Sequence, residues 1–171
     1  MTFGLALRAG LVFREQRQIY DYWLSCARTR SMPSRSDIDP CSMRDCLPQI
    51  SLIDIEGEMH DFTFRLAGSR MRDVYGLEVT GKRLGELEWG EKRDYWRGVY
   101  QSVVENGVPQ AGTISGPVAR REHVNLFWLR MPLSDDGIRV NKILCHDVAL
   151  PHAPESLPDR ITHLNTVAYA G

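Results

Sequence analysis

The chain has 171 residues, a formal charge of −1 from 21 basic and 22 acidic side chains, and 43% apolar residues. That length and apolar content suit one globular domain with its own core rather than two, and the near-neutral balance supplies no overall field for gathering nucleic acid or an anionic membrane. The opening "MTFGLALRAGLVF" is mildly apolar but too short to span a bilayer, carries Arg8 midway and has no basic stretch before its apolar part, so the chain is read as soluble and cytoplasmic with no membrane span.

In chain order, residues 14–30, "REQRQIYDYWLSCARTR", place Ile19, Tyr20, Trp23, Leu24 and Ala27 at helical spacing. This predicts an N-terminal helix of about four turns. "SMPSRSDIDP", held between Pro33 and Pro40, reads as a loop closed by a helical turn near Cys41 to Cys46. "QISLIDIE" and "HDFTFRLAG" read as two strands of a hairpin that turns on "EGEM". Residues 64–84, "FRLAGSRMRDVYGLEVTGKRL", start as a buried strand and then become irregular, with glycines at 68, 76 and 81. In "EKRDYWRGVYQSVVENG" the apolar positions Tyr95, Trp96, Val99, Tyr100, Val103 and Val104 make one face of a long helix, and Gly107 supplies its C-terminal cap.

Three strands follow, "QAGTISGPVA", "EHVNLFWLRMPL" and "IRVNKILCHDV", the last two joined by a tight turn on the Asp-Gly of "SDDG". In "VNLFWLRM" Val124, Leu126 and Trp128 point one way and Phe127, Leu129 and Met131 the other, so both faces of that strand need cover. The central helices can take one face; the N-terminal helix, a second copy of the protein, or both can take the other. The sum is an α+β domain, divided as an N-terminal segment and flanking helix (1–30), a central domain (31–150) and a tail (151–171) that opens on the linker-like "PHAPESLPDR".

Motifs for chemistry are sparse. Cys26, Cys41, Cys46 and Cys145 form no CxxC pair and have no His at a zinc-finger offset, so they read as reduced structural thiols and no metal site is expected. "GTISGP" lacks the GxSxG elbow, "VTGKRLG" lacks the glycine spacing of a phosphate loop, and no HExxH occurs. "REHVN" and "CHDV" make an acid-base pair only if their strands are adjacent, with His123, Asn125 and His146 as members that alternation can turn inwards. No catalytic residue is assigned, and the chain is read as a non-enzyme.

The strand "FRLAGSRM" followed by "YGLEVTGKRLGEL", together with "YDYW", "MPSRSDIDP" and "SLIDIE", resembles a stand-alone alphaproteobacterial PAS family, the PAS_5-like branch of the PAS sensory superfamily, over about residues 14 to 148. The resemblance implies a five-stranded antiparallel sheet with short helices and one long helix on one face, plus an N-terminal helix. It also implies that the irregular glycine-rich stretch walls a small central pocket; the plain alternative is a compact connector over a filled core. Neither common PAS cofactor is supported: no Asn-Cys-Arg phrase for a flavin adduct precedes the long helix, and residues 91–107 hold no His for haem.

The candidate ligand-binding residues are Arg65, Trp96, Tyr100, His123 and Trp128, of which Arg65 suits an anion and Trp96 and Tyr100 a planar group. The resemblance further implies a homodimer through the flanking helix at Tyr20, Trp23 and Leu24, and a signalling partner protein, because the remaining residues leave no room for an output segment. Sensor, ligand-free scaffold or localisation adaptor, and small-molecule enzyme stay open at this point.

Overall fold

The structure, a computed structural model, describes residues 2–57 and 61–151, with side chains from Leu5 onward. The alternating run at 50–56 forms β1 (Ile50–Glu56), which pairs antiparallel with β2 (Asp61–Ala67) and, on its other edge, with β5 (Lys142–Pro151). β3 (Gln110–Ser115), β4 (Val124–Leu133) and β5 follow one another as antiparallel neighbours. The sheet order is β2-β1-β5-β4-β3. The expected α+β architecture is present: a five-stranded antiparallel sheet with short helices and one long helix on one face, and a helix from the N-terminus on the other.

Two helices precede the sheet, where one was expected. α1 (Thr2–Gly10) lies before α2 (Arg14–Ala27), buries Leu7, with Leu11 buried in the link that follows, and is tied to α2 by a two-pronged Arg8–Asp21 pair at 2.7 Å for each contact. α2 lies across its own sheet: Phe13 meets Phe127 edge-on at 4.9 Å, Gln16 donates to the Phe127 carbonyl at 3.2 Å, and Trp23 Nε1 donates to the Pro132 carbonyl at 2.9 Å. This face of the sheet is called the outer face below.

The inner face carries α3 (Met71–Tyr75) and α4 (Arg93–Asn106), with short 3₁₀ turns between them. α4 buries Trp96, Val99, Tyr100 and Val103 of the stripe predicted from spacing, with Tyr95 and Val104 half-buried at its edges, and the Gly107 N–H closes it on the Val103 carbonyl at 3.0 Å. The glycine-rich stretch runs close to the backbone it crosses. A side chain at residue 68 would put its Cβ 2.2 Å from the Leu47 carbonyl oxygen, so only glycine lets this strand end lie on the turn before β1, where its N–H bonds Ile50 O at 2.7 Å.

The connection from β4 to β5 differs from the expected tight turn. Leu133 pairs with Lys142, so the loop spans residues 134–141. The Asp136 carboxylate accepts from the backbone N–H groups of Ile138 and Arg139, each at 2.8 Å, and from Ser134 Oγ at 2.9 Å. One side chain thereby organises a longer loop than Asp-Gly alone suggests. The expected C-terminal tail lies outside the described residues apart from Pro151, and so does the second half of the "EGEM" turn.

Candidate functional site: an ion pair inside an aromatic box

Strand parity decides what meets on the inner face. Trp128 pairs with Asp147 and Arg130 with Cys145, so Leu126, Trp128 and Arg130 of β4 share that face with Cys145 and Asp147 of β5. Ser51 of β1 lies opposite Cys145 on the same side. α4 adds Trp96 and Tyr100, and α3 adds Tyr75, all buried.

At the centre, Arg130 Nη1 donates to Asp147 Oδ1 at 2.8 Å and to the Leu129 carbonyl at 3.1 Å, with both side chains of the pair at 0% exposure. The guanidinium carbon sits 5.4 Å from the ring centres of Trp96 and Tyr100 and 5.7 Å from that of Trp128. Three ring faces therefore share one cation. Burial works against the Arg130 charge, but the Asp147 carboxylate in contact holds its pKa well above the ordinary value. Burial pushes the Asp147 carboxyl up, opposed by Arg130. Burial also pushes the Tyr75 and Tyr100 hydroxyls up and the Cys145 thiol to about 11, so these three groups are neutral at physiological pH.

The box is held rigidly. Trp96 Nε1 donates to the Pro117 carbonyl at 2.7 Å, Trp89 Nε1 to the Leu84 carbonyl at 2.6 Å, and Trp128 Nε1 to Tyr95 Oη at 2.9 Å. Each indole thus spends its single donor on fixing its ring. Gly112 of β3 makes the room for Trp128: a Cβ there would lie 2.6 Å from the indole.

Inside this rigid frame several buried polar atoms have no hydrogen-bond partner. They include Arg130 Nε and Nη2 and Asp147 Oδ2, while the Tyr75 and Tyr100 hydroxyls neighbour each other and Ser51 neighbours the Cys145 thiol. An unpaired buried group costs about 1–3 kcal/mol, so the cluster as it stands is a reserve of hydrogen-bonding capacity beneath the rings of Trp96, Tyr100 and Trp128. Tyr75 also lines a surface pocket of about 280 Å³ with Gly76, Leu87, Val118 and Arg121. Arg121 donates to the Asp73 carbonyl and so ties that pocket's rim to α3.

The sequence-derived candidates divide cleanly. The structure brings Trp96, Tyr100 and Trp128 together around Arg130. Arg65 and His123 do not join them, because both are exposed. Arg65 falls at a register shift in β2, where Leu66 pairs with Leu52 and Phe64 with Ile53 and Arg65 has no partner position. His146 is buried on the outer face beneath α2, so "REHVN" and "CHDV" assemble no acid-base pair. Of the flanking-helix residues, Tyr20 and Trp23 are buried in their own chain's core, and Leu24 is 42% exposed. Arg130, Asp147, Tyr75, Ser51 and Cys145 were not singled out from sequence. The readable signal was an Arg two residues beyond an inward Trp in an otherwise apolar strand.

A second feature lies on the outer face, beside the half of the sheet that α2 leaves open. A groove of about 510 Å³ is lined by Ile38, Met43, Leu47, Leu52, Leu66 and Leu144, among others. Leu66 is 49% exposed there.

A sequence model of the PAS domain family matches residues 13–145, more than three quarters of the chain. The chain belongs to the PAS domain family. No curated protein matches it in sequence. Among solved structures this PAS domain is similar to the Rhodobacter sphaeroides LOV protein, with 14% identity over 59% of this chain and 58% of that one and a TM-score of 0.47. It therefore spans less than two thirds of that protein's length. It is also similar to a sensory box sensor histidine kinase from Vibrio cholerae, with 13% identity over 82% of this chain and 98% of that one and a TM-score of 0.44. Among the described residues of this PAS domain, no helix is long and apolar enough to cross a membrane, and no group of three His, Cys, Asp or Glu side chains is placed to hold a metal ion.

Proposed function

We propose that this PAS domain is a sensory or regulatory unit that binds a small molecule at the Arg130–Asp147 pair and passes its state on through protein contacts. The observation that carries the reading is the interior pair itself. A domain that needs only a stable core gains nothing from burying two charges, since well-packed apolar side chains of the same volume serve as well or better. A pair with unused donors and acceptors, framed by two hydrogen-bonded indoles and a buried phenol ring, suits recognition.

Output through protein contacts is supported by the outer-face groove around Leu66, an apolar surface suited to a signalling partner. We assign the homodimer contact to the exposed edge of α2 at Leu24, with Tyr20 and Trp23 holding that helix on its own sheet. A soluble, stand-alone alphaproteobacterial regulator working in the cytoplasm, with no catalytic step of its own, is the setting that fits this reading. The rival is a scaffold or localisation adaptor with no ligand, and the observation in its favour is that Trp96, Tyr100 and Trp128 already fill much of the interior.

Native against denaturing mass spectrometry of freshly purified protein, with an absorbance spectrum beside it, separates the two. The sensory reading expects a retained small mass, lost from an Arg130→Gln, Asp147→Asn double variant. A bare native protein that also fails a ligand screen leaves the scaffold.

A further inference from the structure

The interior pair also restricts what kind of molecule fits, an inference that rests on the sensory reading above. Arg130 commits Nη1 to Leu129 O and Asp147 Oδ1, which leaves Nε and Nη2, the parallel donors of one guanidinium edge, unpaired at zero exposure. Asp147 Oδ2, the second oxygen of the carboxylate that accepts from Nη1, is an unpaired acceptor. The Tyr75 and Tyr100 hydroxyls, which neighbour each other, lie close enough to the pair for its charges to act on both. A guest is therefore offered two parallel donors, one carboxylate oxygen and two adaptable hydroxyls.

The formal charges at this point already cancel. A guest with its own charge would add a third ion to a site cut off from water, whereas an uncharged polar guest brings no such penalty. The ring faces of Trp96, Tyr100 and Trp128 around the guanidinium favour a flat body. We propose that this interior binds a small, planar, uncharged molecule of the amide or lactam class, with its carbonyl oxygen on the Nε/Nη2 edge of Arg130 and its N–H on Asp147 Oδ2. Entry runs past Tyr75, which belongs both to the surface pocket of about 280 Å³ and to the interior cluster. Arg121, bonded to the carbonyl of Asp73 two residues earlier, holds the neighbouring rim.

The test is isothermal titration of the full chain with three flat probes that differ in the charge of the head group: benzamide, benzoate and benzylammonium. Benzamide is expected to bind at least about tenfold more tightly than either ion, a gap that calorimetry resolves. Tyr75→Phe removes one hydroxyl and keeps the buried ring, and it is expected to weaken benzamide severalfold. The Arg130→Gln, Asp147→Asn pair removes both charges together and is expected to weaken it about tenfold or more. Tightest binding of benzoate or benzylammonium, or a copurifying mass that proves ionic, overturns the ligand class while leaving a small-molecule sensor. Benzamide binding unchanged in both variants overturns the location. No binding of any probe to a protein whose native mass is bare overturns this inference and the sensory reading together.

Discussion

Leu129 and Arg130 are neighbours in β4, and both have 0% exposure, yet they face opposite worlds. Leu129 points to the outer face, where α2 covers the sheet with Phe13, Ile19, Tyr20 and Trp23 and where the polar contacts to β4 are single neutral donors to backbone carbonyls. Arg130 points to the inner face, where the same depth of burial encloses a full ion pair. Apolar packing is the cheaper way to cover a sheet, and the outer face follows it apart from one buried uncharged histidine, His146. The inner face departs from that solution at one spot, and departures of that kind concentrate where a protein does something besides fold.

The largest effect is expected from breaking the inner pair on one side. Arg130→Met leaves Asp147 buried without its counter-ion and should cost about 3–5 kcal/mol in urea denaturation. Adding Asp147→Leu should recover most of that loss. If the single and double variants are equally unstable, the inner face depends on apolar contacts of the arginine stem rather than on charge, and the contrast with the outer face collapses.

The outer face has its own titrating group. Burial lowers the His146 pKa to about 4, with Glu15 of α2 pulling it back up. Its unfolded value is about 6.5, so between those values the unfolded chain binds the extra proton. Stability is then fully present above about pH 6.5 and drains as the pH falls toward 4, by a total on the order of 3 kcal/mol. Asp147, whose shift is upward, acts with the opposite sign over an overlapping range. His146→Leu isolates the histidine: denaturation midpoints measured from pH 7 to pH 4 should lose that part of the slope. An unchanged slope in the variant places the acid sensitivity elsewhere.

A smaller effect is expected from filling the space under the box. Gly112→Ala drives a methyl group against the Trp128 indole, which the Tyr95 hydrogen bond holds in place. Overpacking of this kind costs about 1–3 kcal/mol. The same variant should shift the tryptophan emission spectrum, and no change in either readout would mean that the box is looser than its hydrogen bonds indicate.

Much of this fold could be read from spacing. The α4 stripe, the two-faced character of β4 and the close approach at Gly68 all follow from local periodicity and from glycine's missing Cβ. What escaped depends on contacts between distant segments. α1 is defined by Leu7 and Leu11 covering neighbours and by the Arg8–Asp21 pair, none of which shows in a nine-residue apolar stretch. Arg65 falls at the register shift in β2, which no local pattern in the strand announces. The central pair was hidden by the loop before β5: a tight turn on Asp136 and Gly137 would set Arg130 opposite Ile143, whereas the longer loop sets it opposite Cys145 with Asp147 beside Trp128. A two-residue slip keeps every side chain on its face but exchanges its neighbours, so the inward Arg was legible and its partner was not.

The smallest change in stability is expected at Leu24, and there the contrast between the faces becomes a question of assembly. Replacing Trp23 tests little about association, because its ring is 2% exposed and its Nε1 bonds Pro132 O, so a Glu at that position disrupts the monomer first. Leu24, one residue on and 42% exposed, lies at the helix edge and can carry a charge at a cost within about 0.5 kcal/mol. If the homodimer forms along this edge of α2, Leu24→Glu should halve the mass seen by light scattering while the thermal midpoint of the dilute protein stays put. A dimer that survives Leu24→Glu but falls apart with Leu66→Glu would move the contact to the open groove. The outer face would then serve two ends, packing under α2 and association beyond it, with signalling partner and second copy competing for one apolar surface.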